Sequence, residues 1–359
     1  MKRVLVYPVD KAIFAVLDNI DLLKDIEIVG LVSPRGWGYC GEEVYVNGKK
    51  IIITDQFEQI IKNSTDLWIV NSDNKLNFRE FILPKLKFSS SKGIKVSIYR
   101  ELDEDANIMI NKEMEEIIVD NVNNNNERCE FDGELQIIDT PIILAIGLFD
   151  NFNEFNMQLK LRKELLRRGY KVLQIGNKNE SEIFGFEVFP SFIQKYGVKE
   201  SSKILMFNSY LKKKEKEHKP DVIVLGVPGE IFPYSNKVHT DFGLMNFYVT
   251  RAVSPDLTIL GLPFEMYNLT DVQNIKKNVK GMLGVTVDYL YVSNKKIDPW
   301  ETNSKGKLET VTINHDIFEE FNKNKKIDNL FWGFSQDAYC ALAKTVVSQL
   351  EEYGKVEII

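Results

Sequence analysis

Short, unbroken apolar runs recur along this chain, each followed by a stretch with helical spacing, and few architectures accept that alternation. Two of the runs, Asp221 to Val227 and Leu257 to Leu262, are apolar at nearly every position. A strand is apolar on both faces only where helices cover both sides of its sheet, which is the condition of a parallel sheet in an α/β protein. The alternation begins at once, with strands expected at Lys2 to Tyr7 and Ile26 to Val32 and helix-like Ala12 to Leu23 between them. It continues with strands at Lys50 to Ile53, Leu67 to Val70 and Ile94 to Tyr99, and helices at Gln56 to Lys62 and Phe78 to Leu86.

The pattern stops near residue 120, where Asn121-Val122-Asn123-Asn124-Asn125-Asn126-Glu127-Arg128 is polar and asparagine-rich. Four consecutive asparagines are too short for a prion-like tract, and the segment reads as a linker over 121–139. It separates an α/β domain over 1–120 from a second over 140–359. The second series opens with a strand at Ile142 to Gly147, a helix at Asn156 to Arg168 with Gly169 as its C-cap, and a strand at Val172 to Gly176. A helix over Ser201 to Glu217 ends in the mixed charge run Lys212 to Glu217, which reads as a solvated helix end because glutamates interleave the lysines. A strand over Gly284 to Val292 and a C-terminal amphipathic helix over Asp337 to Tyr353 complete the reading.

Composition excludes several classes. Of 359 residues, 44% are hydrophobic and 27% charged, ample for a core and incompatible with general disorder. A net charge of −6 gives no basic footprint for nucleic acid. Cys40, Cys129 and Cys340 are too few and scattered for a disulfide framework or a cysteine-based zinc site, and a reduced, cytoplasmic compartment is expected. No apolar stretch is long enough for a membrane span or a signal peptide, so no membrane partner is expected.

Four loops at the carboxyl ends of strands hold the candidate chemistry. Gly147-Leu148-Phe149-Asp150-Asn151-Phe152-Asn153-Glu154 runs from strand through loop into helix, the setting in which backbone N–H groups hold a phosphate. The G-x-x-x-x-G-K-[ST] pattern would require Gly, Lys and Ser or Thr where this chain has Phe152, Asn153 and Glu154. The lysine that reaches the phosphates is absent, and a carboxylate at Glu154 repels a polyphosphate by about 1–4 kcal/mol. Glu154 is equally explained as a first-turn acid favoured by the helix dipole. Ordinary ATP hydrolysis is therefore not expected here.

Ser33-Pro34-Arg35-Gly36-Trp37-Gly38-Tyr39-Cys40-Gly41 follows the second strand. Arg35 has the charge for an anion, Trp37 the face for a planar group, and Gly36 and Gly38 permit close backbone approach. A structural turn explains the same residues, and the dinucleotide fingerprint is absent. Cys40 has no histidine nearby to activate it as a nucleophile.

The segment Gly226 to Gly243 gathers Glu230, Tyr234, Lys237, His239 and Asp241 after a central strand. His239 with Asp241 would orient an imidazole, but an i, i+2 pair defines no coordination, and His218 and His315 lack ligand-like neighbours; no metal is expected. Gly261 to Tyr267 adds Glu265, either a second carboxylate for acid–base work beside Glu230 or a solvated residue after the turn at Pro263.

The combination resembles a known arrangement, a small Rossmann-like domain joined to a P-loop-type α/β domain of the dethiobiotin synthetase group, with a degenerate phosphate loop. More narrowly, "YPVD", "SPRGWG", "GVPGEIFPYSNKVHTDFG" and "RAVSPD" resemble segments of a clostridial-type peptide-maturation accessory family, associated with radical-SAM maturases of Cys-rich ribosomal peptides. The resemblance spans nearly the whole chain and implies a pathway without a reaction. It implies a bacterial accessory protein that binds a precursor peptide or the peptide-modifying enzyme, with homo-oligomerisation left open and no cofactor specified. The alternative is a ligase- or transferase-like enzyme acting on a phosphorylated or nucleotide substrate. Under either, the ligand-binding residues expected are Arg35, Gly36, Trp37, Gly38, Glu230, Tyr234, His239 and Asp241, in a crevice between the domains; no catalytic residue is assigned.

Overall fold

A computed structural model describes residues 1–113, 119–121, 133–150, 152–313, 327–333 and 335–356. Contacts group Met1–Asn126 with Asn179–Val188 as one compact unit and Glu127–Lys178 with Phe189–Ile359 as the other. The reading of 140–359 as one continuous domain differs at Asn179–Val188, which periodicity alone does not set apart. Most of the asparagine-rich segment and Cys129 lie outside the described residues.

The first unit contains β1 (Lys2–Tyr7), α1 (Phe14–Leu17), β2 (Ile26–Leu31), β3 (Glu43–Val46), β4 (Lys49–Ile52), α2 (Phe57–Ile60), β5 (Asp66–Val70), α3 (Leu83–Ser91), β6 (Lys95–Tyr99), α4 (Glu104–Glu113) and β7 (Val119–Asn121). Its parallel sheet runs β2-β1-β5-β6-β7. Two expectations change. The Ala12 to Leu23 helix is broken into short turns: Asn19 bonds back to the Ala15 carbonyl at 2.7 Å, a local competitor to helical bonding. Residues 49–52 do not extend the parallel series but pair antiparallel with β3, because Asn47 and Gly48 both take positive φ (49° and 76°), as a tight hairpin turn requires.

The second unit opens with β8 (Ile142–Gly147), α5 (Glu154–Arg167) and β9 (Val172–Gly176). After the segment 179–188, which holds β10 (Glu187–Val188), come α6 (Glu200–His218), β11 (Val222–Gly226), α7 (Leu244–Ala252), β12 (Leu257–Leu262) and α8 (Leu269–Leu283). The chain continues through β13 (Tyr289–Ser293), β14 (Lys295–Ile297), α9 (Pro299–Lys305), β15 (Thr310–Thr312), β16 (Leu330–Gly333) and α10 (Gln336–Val356). The strands of the second unit lie parallel in the order β9-β11-β8-β12-β13-β16, so the strand feeding the loop at 147–154 is central.

Alternate residues of β8 supply the two cores. Ile142, Leu144 and Ile146 pack into one with α6, α7 and α8, whereas Ile143 and Ala145 face α5 and α10. This double cover accounts for strands that are apolar throughout. Gly284 ends α8 at φ 78° instead of opening the next strand, which begins at Tyr289.

Candidate functional site

The site grows from glycines at the ends of four strands. Gly147 ends β8, Gly226 β11 and Gly333 β16, Gly261 is the last residue but one of β12, and each leaves room for a polar side chain from elsewhere. A Cβ at Gly226 would overlap the Gln158 amide, one at Gly147 the Glu154 carboxyl, and one at Gly261 the Tyr291 hydroxyl. At Gly333 it would lie 2.6 Å from the Tyr339 hydroxyl. The missing side chains thus make space for a row of buried polar groups.

Glu154 occupies the middle of that row and is 2% exposed. Its Oε1 accepts from the Phe152 N–H at 3.0 Å, and its own N–H also favours the charged form. A carboxyl therefore sits on the loop N–H groups, where a phosphate-binding loop would hold its phosphate. Burial, and after it the charge of Asp150, raises the Glu154 carboxyl to about 7, with Lys295 opposing. Asn153 adopts φ 70° at the start of α5 and ties the loop to the adjoining strand and helix: its Nδ2 donates to Ser293 Oγ (3.1 Å), Asn294 Oδ1 (3.3 Å) and Tyr339 OH (3.0 Å). Tyr291 is buried beside Tyr339 and its hydroxyl has no hydrogen-bond partner among the described residues.

The segment after β11 folds against this loop. Ile231 N–H donates to the Leu148 carbonyl at 3.1 Å, and the rings of Tyr234 and Phe149 meet edge to face, 5.9 Å apart. Glu230, 1% exposed, accepts from Thr240 N–H at 2.8 Å. Asp241 accepts from Gly243 N–H (3.1 Å) and Met245 N–H (3.0 Å), the N-cap residue and a first-turn residue of α7. A Cβ at Gly229, where φ is 88°, would come within 3.0 Å of the Asp241 carboxyl, so glycine admits the acid. Burial is the main cause that raises the Asp241 carboxyl, with Glu230 and Asp150 adding to it. Three acids from two loops therefore share one strand edge. His239 stacks on Phe242 at 4.1 Å and is exposed.

The structure brings Glu230, Tyr234, His239 and Asp241 into one folded segment of the second unit. Glu265 is exposed. Arg35, Gly36, Trp37 and Gly38 belong to the first unit. There Arg35 is an exposed partner of Asp55, and Trp37 is half-buried. Gly36 and Gly38 have φ of 85° and 87° with open space around them, so backbone conformation rather than close packing demands glycine. Burial pushes the Cys40 thiol up, away from the reactive thiolate. His315 lies outside the described residues, and no metal-binding group of His, Cys, Asp and Glu exists among the described ones.

Two of the resembling segments hold structural acids. Asp10 of "YPVD", fully buried, accepts from the N–H groups of Ala12 (2.9 Å), Asp73 (2.8 Å) and Asn74 (3.4 Å), joining the loops after β1 and β5. Asp256 of "RAVSPD" accepts from the Ile142 N–H at 2.8 Å and anchors the start of β8. Sequence reasoning did not nominate Asp150, Gln158, Tyr291, Tyr339 or Asn246. For Gln158, Tyr291 and Tyr339 the available signal was a glycine at or next to the end of a strand.

Fold and site define a two-unit, mostly parallel α/β protein whose second unit is P-loop-like, with the loop filled by its own carboxyl. No family model matches the chain, and no curated protein matches it. Among solved structures it is similar to a DUF1611 family protein from Anabaena variabilis, at 13% identity and a TM-score of 0.53 over 85% of this chain and 91% of that one. A plasmid partition protein from Borrelia burgdorferi (13% identity, TM-score 0.32, 60% of this chain and 99% of that one) also aligns. So does an apo GTPase from Pyrococcus abyssi (14% identity, TM-score 0.28, 53% and 75%). The first likeness is one of fold.

Proposed function

We propose that this chain is a non-hydrolysing accessory protein in the maturation of a ribosomally synthesised peptide, binding the precursor peptide or the enzyme that modifies it. The observation that carries the non-hydrolysing part is the Glu154 carboxyl on the Phe152 N–H. A nucleotide would have to displace a fully buried group, without a lysine to compensate the phosphate charge. The peptide pathway rests on the four resembling segments alone. Equilibrium binding of ATP and GTP, each with and without Mg²⁺, tests the reading. No binding up to millimolar nucleotide is expected; a Kd tighter than about 100 μM, near −5.5 kcal/mol, would overturn it.

The polar loops gathered at the carboxyl ends of β8 and β11 support a second reading, a ligase- or transferase-like enzyme using a phosphorylated or nucleotide substrate. Raised carboxyls at Glu154 and Asp241 suit acid–base work. Under it, Glu230→Gln and Asp241→Asn abolish turnover without unfolding the protein, and full activity in both would exclude these roles.

A further inference from the structure

We propose that the first unit binds a small zwitterion with an apolar body, a free α-amino acid of the leucine or phenylalanine kind, in the cleft between the chain leaving β5 and the start of α4. The cleft measures about 320 Å³, at the small end of the ~300–1,000 Å³ of small-molecule sites. Its walls follow the carboxyl ends of β5 and β6, neighbours in the parallel sheet, where open α/β sheets hold their ligands. The site is independent of the accessory reading, which rests on other segments.

The walls carry both signs of charge. The segment 76–79 supplies Arg79, and the segment 100–109 supplies Glu101 and Asp105. All three are exposed, and their side chains make no hydrogen bond or ion pair among the described residues. Arg100 lines the cleft as well, half-buried after β6, with the charges of Asp103 and Glu180 offsetting its own. One guanidinium and two carboxylates therefore remain for a ligand. A carboxylate alone would satisfy Arg79 and be repelled by the acids; an amine alone would satisfy the acids and leave Arg79. A molecule bearing both groups answers both, through charge-assisted hydrogen bonds, which are the strong ones.

The rest of the lining is chiefly apolar, with Leu76 and Phe78 from the first segment and Leu102 and Met109 from the second. These four are half-buried and pack against the core of the unit, which gives the cleft a firm apolar floor. The charged walls are set in place as well. Asn77 Oδ1 accepts from the Glu80 N–H at 3.1 Å and fixes the turn that carries Arg79. Asp103 Oδ1 accepts from the Ala106 N–H at 2.7 Å and fixes the start of α4, which carries Asp105. Backbone already ordered costs less to bind to. A divalent metal fits less well, since no metal-binding cluster exists among the described residues. An apolar floor between groups of opposite charge matches an amino acid whose side chain is apolar.

The test is calorimetry on the full chain at physiological salt, with L-leucine and L-phenylalanine as probes. Isocaproate and hydrocinnamate keep the body and the carboxylate without the amine; isoamylamine and phenethylamine keep the body and the amine without the carboxylate; glycine keeps both charges without the body. Expected is a Kd below about 1 mM for at least one of the two amino acids, and binding at least about tenfold weaker for its two analogues and for glycine. Arg79→Gln and Asp105→Asn should each weaken that amino acid by about fivefold or more, and Arg251→Gln, an exposed arginine of the second unit, should not. Because Arg79 and Asp105 are exposed and bonded to no described residue, both variants should fold, as circular dichroism verifies. No binding of either amino acid up to about 10 mM would overturn the site. An analogue that binds as tightly as its amino acid would overturn the zwitterion, and glycine binding equally would overturn the apolar body. Wild-type affinity in Arg79→Gln or Asp105→Asn, or an equal loss in Arg251→Gln, would overturn the placement in this cleft. Nucleotide binding by the second unit would overturn the accessory reading and leave this site standing.

Discussion

Glu154 leaves no room for a side chain at Gly147: a Cβ there would overlap the Glu154 Oε1 and, behind it, the Phe149 carbonyl. The carboxyl is buried and the carbonyl is backbone, so neither yields by a simple rotation. Gly147→Ala is therefore expected to lower stability by about 1–3 kcal/mol, the usual cost of overpacking, as read by urea denaturation. An unchanged midpoint would mean that the carboxyl is not seated in the loop.

The protonation of Glu154 gives a second expectation. Its folded value, about 7, lies above the ordinary 4.5, so the folded state holds this proton more tightly than the unfolded chain does. Its contribution to stability is present below pH 4.5 and is lost as pH rises to about 7. Glu154→Gln cannot ionise. Relative to the wild type it should become progressively more stable across that window, checked by denaturation at a series of pH values. Parallel curves for the two proteins would refute the buried, raised carboxyl.

The alternation of apolar runs with helical stretches made the class and most of the strands legible, because parallel strands covered on both sides admit few polar residues. The hairpin at 43–52 was signalled by Asn47-Gly48, a turn that the short apolar run at 50–53 obscured. In the site, Glu230, Tyr234, His239 and Asp241 were legible as one polar segment at a strand end. Asp150 was hidden because acids are common in loops, and Tyr291 because a tyrosine in an apolar strand reads as core. Their placement depends on which strands become neighbours, as when Gly147 pairs with Gly261 and Gly261 with Tyr291.

At the opposite end of α5 the sign of the pH effect reverses. Hydrogen bonds from Arg167 first, and Arg168 with it, hold the Glu164 carboxyl at about 2. Arg168 also reaches α10, through Glu351 at 2.7 Å and Ser348 at 3.0 Å. The stabilisation from Glu164 is fully present above pH 4.5 and is lost as pH falls toward 2. Arg168→Ala should cost about 1.5–3 kcal/mol at pH 7, the range for charge-assisted hydrogen bonds. It should also make the acid limb of the stability profile shallower. A variant as stable as the wild type would show that α10 is held by its apolar face alone.

Asp241 separates stability from function. It accepts two backbone hydrogen bonds at the start of α7, yet burial and the neighbouring acids raise its carboxyl, so its ionisation weakens the fold. Asp241→Asn keeps an acceptor oxygen and removes the charge; Asp241→Ala removes both. At pH 7 the Asn variant should be at least as stable as the wild type, and the Ala variant less stable than the Asn variant by about 1 kcal/mol, the usual net value of a hydrogen bond. The advantage of Asn should shrink on acidification, as Asp241 in the wild type gains its proton. Thermal melts of the three proteins at neutral and acid pH measure both effects. A wild type more stable than Asp241→Asn at pH 7 would mean that the carboxylate is held by favourable charge.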